Sequence, residues 1–124
     1  MWSYVSVISL FSCINIYSKD PEKSFEFYKG IGLNVEKEGD SNTEWHGAGF
    51  KLTELEDGPT MWIWRNTDNR DVKNEIVLHC DDIQSSYKEL REKGYAVTEP
   101  ELMFYGDYEM KLTDSDGNRI LFLS

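Results

Sequence analysis

The sequence predicts an α+β fold made of two copies of one unit, each a strand, a helix and three further strands. Asp20, Ser24, Phe25, Gly32, Leu33 and Val35 recur 62 positions later as Asp82, Ser86, Tyr87, Gly94, Tyr95 and Val97. Each copy opens its helix on an aspartate, closes it on glycine and continues into short segments rich in β-branched and aromatic residues. A repeated supersecondary unit buries its apolar face against its twin, so positions related by the repeat are expected to line one shared cavity.

In the first copy, Ile8 to Tyr17 reads as a strand with Ile14 and Ile16 on one side and Cys13, Asn15 and Tyr17 on the other. Asp20-Pro21-Glu22 supplies an N-cap, a proline at the first helical position and an acid in the first turn. Phe25 and Tyr28 form the apolar stripe, and Gly30 and Gly32 end the helix. Leu33 to Lys37, Glu44 to Leu52 and Thr60 to Trp64 then read as strands, with Asp57-Gly58-Pro59 as the turn before the last. The polar stretch Asn66 to Lys73 has no apolar periodicity and marks the boundary between the units.

The second copy starts with a strand over Glu75 to Cys80. A helix follows from the Asp82 cap through Lys93 to a stop at Gly94, with Ser86, Tyr87 and Leu90 matching the first helix. Three strands are expected near Ala96 to Thr98, Phe104 to Leu112 and Asn118 to Leu123. The chain of 124 residues is long enough for a real core and reads as one domain, 1–124, with module 1 at about 8–66 and module 2 at about 74–124.

Composition narrows the functional classes. A formal charge of -10 disfavours nucleic acid and anionic membranes, whose binding depends on Lys and Arg meeting phosphates. No apolar run reaches the roughly 20 residues needed to span a bilayer, and MWSYVSVISLF lacks the basic region of a signal peptide, so a cytoplasmic protein is expected. Cys13 and Cys80 both fall in expected strands and read as reduced thiols. There is no Gly-rich phosphate loop, no paired-cysteine metal spacing and no serine elbow. Cys13 with His79 as a nucleophile and base is conceivable, but nothing in the sequence activates Cys13, and a small buried thiol is the better reading.

The segment Asn15 to Tyr28 (NIYSKDPEKSFEFY) and the closing Asp114-Ser115-Asp116-Gly117-Asn118-Arg119-Ile120 resemble the vicinal oxygen chelate superfamily. That group includes glyoxalase I, bleomycin-resistance proteins and extradiol dioxygenases. The resemblance runs from about Ile8 to Ser124. It implies two βαβββ modules forming a cupped, mixed β-sheet around a central cavity, commonly completed in a homodimer.

The resemblance also implies where a metal would sit, on the first and last strands of each module. Counting back seven residues from Asp20 and Asp82 reaches Cys13 and Glu75, and aligning Asp57-Gly58 with Asp116-Gly117 sets Trp62 opposite Leu121. Trp62 and Leu121 offer no donor to a divalent ion, so no metal and no cofactor is expected. A Zn site gathering Glu75, His79 and Cys13 is opposed by the roughly 13 Å between strand positions four residues apart. His46 has no visible partner and reads as a surface residue.

Parity places Met61, Ile63, Ile120 and Phe122 toward the helices, and Trp62, Trp64, Leu121 and Leu123 toward the cavity. Trp45, Tyr105 and Tyr108 are further candidates for the same aromatic wall. The expected ligand-binding set is Cys13, Asn15, Tyr17, Trp62, Trp64, Glu75, His79 and Leu121, with no catalytic residue. Large flat side chains with few polar groups suit a small organic molecule of aromatic or cationic character, whose positive group Glu75 would meet. The expectation is a metal-independent, cytoplasmic, homodimeric binding or sequestering protein resembling bleomycin-resistance proteins. Two alternatives stand beside it: a glyoxalase-type lyase, isomerase or dioxygenase with an atypical metal site, and a noncatalytic interaction module.

Overall fold

Two aspartates set the helices. In the computed structural model, which describes residues 13–33, 35–38, 45–51 and 60–124 (side chains for 13–33 and 61–124), Asp20 accepts the Lys23 N–H at 3.2 Å and opens α1 (Pro21–Gly30). Asp82 accepts the N–H groups of Gln84 and Ser85 and opens α2 (Ile83–Glu92). These bonds satisfy donors that a helix start otherwise leaves open. Just past each helix the chain turns at Gly32 (φ 109°) and Gly94 (φ 92°), a left-handed conformation that glycine adopts without strain.

The strands around α1 are β1 (Cys13–Ser18), β2 (Val35–Glu38), β3 (Trp45–Lys51) and β4 (Thr60–Arg65); those around α2 are β5 (Glu75–His79), β6 (Glu101–Leu102), β7 (Tyr108–Thr113) and β8 (Arg119–Leu123). They form two four-stranded sheets of identical order, β1-β4-β3-β2 and β5-β8-β7-β6. In each, the first and last strands run parallel, because the helix carries the chain back to the same end of the sheet. Cys13 faces Thr60 and Asn15 faces Trp62 across the first parallel pair, while Glu75 faces Arg119 and Val77 faces Leu121 across the second. The two modules thus have one register, and Trp62 and Leu121 are structurally equivalent. The fold is α+β, a doubled βαβββ arrangement.

Both modules contribute to one core. Ile16, Tyr28, Met61 and Ile63 from the first and Ile76, Ile83, Leu90, Met110, Ile120 and Phe122 from the second are all buried in a single cluster. Each such aliphatic or aromatic side chain contributes about 1.5–3 kcal/mol relative to an exposed one. The helices fill the space between: Phe27 of α1 meets Tyr95 edge-on at 5.6 Å, and Lys93 Nζ donates to the Gly30 carbonyl at 3.2 Å.

Several expectations need correction. No strand forms at Ala96 to Thr98. There Thr98 N–H donates to the Lys111 carbonyl, but Lys111 N–H goes back to the Thr98 hydroxyl rather than to a backbone carbonyl. Pro100, with no N–H to donate, stands just before the two-residue β6. The expected strand from Phe104 begins only at Tyr108, since Met103 to Asp107 make a tight turn closed by Met103 N–H to the Asp107 carbonyl at 2.8 Å. Cys80 lies just past β5 rather than within it. The expected strand start at Ile8, the turn at Asp57-Gly58-Pro59 and the side chains of Trp45 and His46 lie outside the described residues.

Candidate functional site

The closing Asp114 to Asn118 turn proves to be the joint between the modules. The Asp114 carboxylate accepts four hydrogen bonds: from the Tyr28 hydroxyl at 2.6 Å, the N–H groups of Asp116 and Asn118, and the Asn118 side-chain amide. Asp116 accepts the Ser18 hydroxyl at 2.7 Å and the Lys19 N–H at 3.0 Å. Asn118, fully buried, takes the Asn74 N–H on its side-chain oxygen at 2.7 Å. Burial, and then the adjacent Asp114 carboxylate, hold the Tyr28 hydroxyl far above the usual phenol range, so it stays a donor. The motif is structural: it docks the β1–α1 corner onto the second module.

That docking fixes the end of β1 where three of the expected site residues meet. On the face of the first sheet away from the core, Asn15 Oδ1 accepts the Trp64 indole N–H at 2.9 Å, and the Cys13 thiol lies 3.9 Å from the same oxygen. Asn15 and Trp62 are register partners, as are Tyr17 and Trp64, so the four make one polar and aromatic patch. Trp62 and Trp64 are half-buried. The Arg70 guanidinium carbon lies 4.7 Å from the centre of the Tyr17 ring, within cation–π range. Asn15, Tyr17, Trp64, Arg65, Asp68 and Arg70 line a cleft of about 490 Å³.

The second module's equivalent face has different chemistry. Glu75, Val77 and His79 point out on β5, beside Leu121 and Leu123 on β8. Glu75 is not a buried carboxylate awaiting a cation: it is half-exposed and accepts from Arg119 on the neighbouring strand, Nε at 2.9 Å and Nη2 as well. His79 is largely exposed, 3.7 Å from Asp81, and lines a separate cleft of about 520 Å³ beside α2 with Cys80, Asp82 and Ser86. The structure therefore brings Cys13, Asn15, Tyr17, Trp62 and Trp64 together and sets Glu75, His79 and Leu121 on the other sheet. At the rim of that sheet Tyr105 donates to Glu109 at 2.6 Å, a bond that pushes the phenol up to about 12.

The donor set does not suit a metal of the kind the fold accommodates. Of the four equivalent positions, Trp62 and Leu121 carry no ligand atom and Glu75 is held by Arg119. Among the described residues no three His, Cys, Asp or Glu side chains converge as ligands. Nor does a hydrogen bond join Cys13 to His79 among them. Burial raises the Cys80 thiol above its ordinary value, partly offset by a Ser86 hydrogen bond.

Arg70 and Arg119 are the site residues that sequence reasoning missed. Arg119 follows the Asp-Gly-Asn motif and is the direct register partner of Glu75, a pairing that exists only once β5 and β8 lie side by side. Arg70 lies in the connector, whose polar composition gives no signal of it.

Comparisons with known proteins agree on the architecture. The profile of the Glyoxalase/Bleomycin resistance protein/Dioxygenase superfamily matches residues 10–122. A member of that superfamily from Sphaerobacter thermophilus superposes with a TM-score of 0.73 at 23% identity, covering 94% of this chain and 97% of that one. An antibiotic-binding protein of a Streptomyces species, TnmS3, gives a TM-score of 0.72 at 20% identity over 95% and 97%. A bleomycin-binding protein in complex with bleomycin gives 0.67 at 17% over 94% and 98%. At these identities the likeness is one of fold. No match is found among curated proteins.

Proposed function

The chain belongs to the Glyoxalase/Bleomycin resistance protein/Dioxygenase superfamily, and from that premise we propose that it binds and sequesters a small organic molecule without a metal. The observation that carries this reading is the wall of Tyr17, Trp62 and Trp64, with the Trp64 indole fixed by Asn15, beside an open cleft of about 490 Å³. An amphipathic ring whose polar edge is already satisfied presents a rigid face for stacking at little further entropic cost. Retention then follows mass action, as befits a relative of proteins that bind bleomycin and other antibiotics.

The aromatic character of the ligand rests on that wall. Its cationic alternative rests on the net charge of -10 alone, because Arg119 neutralises Glu75. Metal independence rests on Trp62 and Leu121 at equivalent positions. A homodimer is supported by the outward face of the second sheet, where Val77 is 54% exposed; covering such a surface with a second copy removes it from water. The two free thiols suit the reducing cytoplasm. Among the described residues no helix is long and apolar enough to cross a membrane.

The test is a ligand screen by tryptophan fluorescence, followed by calorimetry on hits with Trp62→Ala and Trp64→Ala. Loss of binding by about tenfold or more in these variants is expected, from the area an indole covers. Unchanged affinities would move the site elsewhere. Elemental analysis after exposure to Zn, Ni, Mn and Fe(II) checks the second half of the proposal: one tightly held ion per chain would turn the reading toward glyoxalase-type chemistry.

A further inference from the structure

Arg70 stands on the seam of two clefts. With Tyr17 it lines both the aromatic cleft and a second one, of about 500 Å³, at the junction of the modules, where Lys19, Asn66, Lys73 and Asp116 are also exposed to the opening. Its backbone is pinned: Asn66 Oδ1 accepts the Arg70 N–H and Asn66 Nδ2 donates to the Arg70 carbonyl, both at 2.9 Å. Asn69, just before it, is held at φ 52°, a left-handed conformation costly for most residues other than glycine, so the connector is a shaped segment rather than a slack one.

The charge around that seam runs against the rest of the chain. Lys19, Arg65, Arg70 and Lys73, four of thirteen Lys and Arg residues, line the two clefts in a protein of formal charge -10. Three carboxylates oppose them. Asp116 is taken up by Ser18 and Lys19 N–H, Asp71 lies 3.7 Å from Lys73 and is 89% exposed, and Asp68 accepts only Arg70 Nε among the guanidinium nitrogens, at 3.1 Å. Arg70 Nη1 touches the Tyr17 hydroxyl at 3.5 Å, and among the described residues Nη2 has no partner. A guanidinium held over an aromatic ring with donors to spare is suited to an oxyanion beside a ring-stacked body.

We propose that the molecule bound on the Tyr17–Trp64 wall carries an oxyanion, a carboxylate or a phosphate ester, and that the Tyr17–Arg70 seam with Lys19 and Lys73 receives it. This rests on the binding reading above and gives it a ligand class: aromatic acids.

The experiment is titration calorimetry of the full chain with three probes sharing one ring system: 2-naphthoate, 2-naphthylmethanol and 2-naphthylmethylammonium. The expected result is 2-naphthoate binding about tenfold tighter than the alcohol, the effect of one charge-assisted contact of about 1.4 kcal/mol. Arg70→Gln removes that preference, read as the ratio of the naphthoate to the alcohol affinity, Arg70→Lys keeps part of it, and Lys88→Gln, the same charge change on the exposed side of α2, leaves it intact. Equal affinities for the three probes, a preference for the ammonium, or a preference that survives Arg70→Gln would overturn the oxyanion assignment while leaving the binding function standing. Binding of none of the probes would overturn both.

Discussion

The Tyr28 hydroxyl lies 2.6 Å from the Asp114 carboxylate, joining the last turn of α1 to the last turn of the chain across 86 residues. Both groups are buried, Tyr28 completely. Removing the hydroxyl leaves a charged acceptor one donor short in a place water does not reach. Tyr28→Phe is expected to destabilise the fold by about 1.5–3 kcal/mol, read as a lower urea midpoint with an unchanged slope. A loss below about 0.5 kcal/mol would mean that the turn's own N–H groups suffice for Asp114.

The same pair sets an alkaline limit. Burial and then Asp114 raise the Tyr28 phenol above its ordinary value of 10.0, so its share of stability is complete below that pH. Above it, the unfolded chain gives up a proton that the folded chain keeps, and the share declines as pH rises. The stability difference between wild type and Tyr28→Phe should therefore shrink by about 1.4 kcal/mol per pH unit above about pH 10. Parallel curves for the two proteins between about pH 9 and 11 would contradict this.

A methyl group at the end of α1 has no room. A Cβ built on Gly30 would fall on the hydroxyl of Tyr95, which packs edge-on against Phe27. Gly30→Ala is expected to cost about 1–3 kcal/mol as Tyr95 is displaced, and Tyr95→Phe should recover part of the loss. At Gly94 nothing lies within 4 Å, yet φ of 92° penalises any side chain, so Gly94→Ala is expected to cost about 1 kcal/mol with no such rescue. Thermal unfolding of Gly30→Ala and Gly94→Ala, each alone and combined with Tyr95→Phe, separates crowding from backbone strain.

The Glu75–Arg119 pair should matter little to stability. Its side chains are 46% and 53% exposed, so solvent screens the attraction despite the two contacts to one carboxylate oxygen. A double-mutant cycle with Glu75→Gln and Arg119→Met is expected to give a coupling of about 0.5–1 kcal/mol that falls with added salt. A coupling above about 2 kcal/mol would show that this face is shielded from water in solution, as by a second copy.

Local chemistry was easiest to read. Asp20 and Asp82 cap their helices because a carboxylate in front of three open N–H groups needs no tertiary support. Met61, Ile63, Ile120 and Phe122 are buried because strand parity in an amphipathic sheet is decided by their own spacing. What escaped depends on neighbours distant in sequence. Glu75 looked available for a ligand cation because its partner Arg119 becomes adjacent only when β5 and β8 pair. Ala96 to Thr98 has strand-forming residues but no strand, since the Thr98 hydroxyl replaces a ladder carbonyl and Pro100 follows. Arg70 sits in a run of Asn, Asp, Arg and Lys that composition marks only as solvent-loving. Its place on the Tyr17 ring follows from Asn66 folding the connector back on itself.

The distance along the chain between Tyr28 and Asp114 also bears on how the protein is made. A ribosome adding about 5–20 residues per second takes roughly 4–17 seconds to travel the 86 positions that separate them. Throughout that interval the nascent first module has its helix and caps but neither the acceptor for its tyrosine nor the aspartate that ties down Ser18 and Lys19. Its maturation is thereby deferred until the second module's final hairpin has emerged, and a translation arrest just short of Asp114 would hand chaperones and proteases a half-built corner rather than an autonomous half-protein.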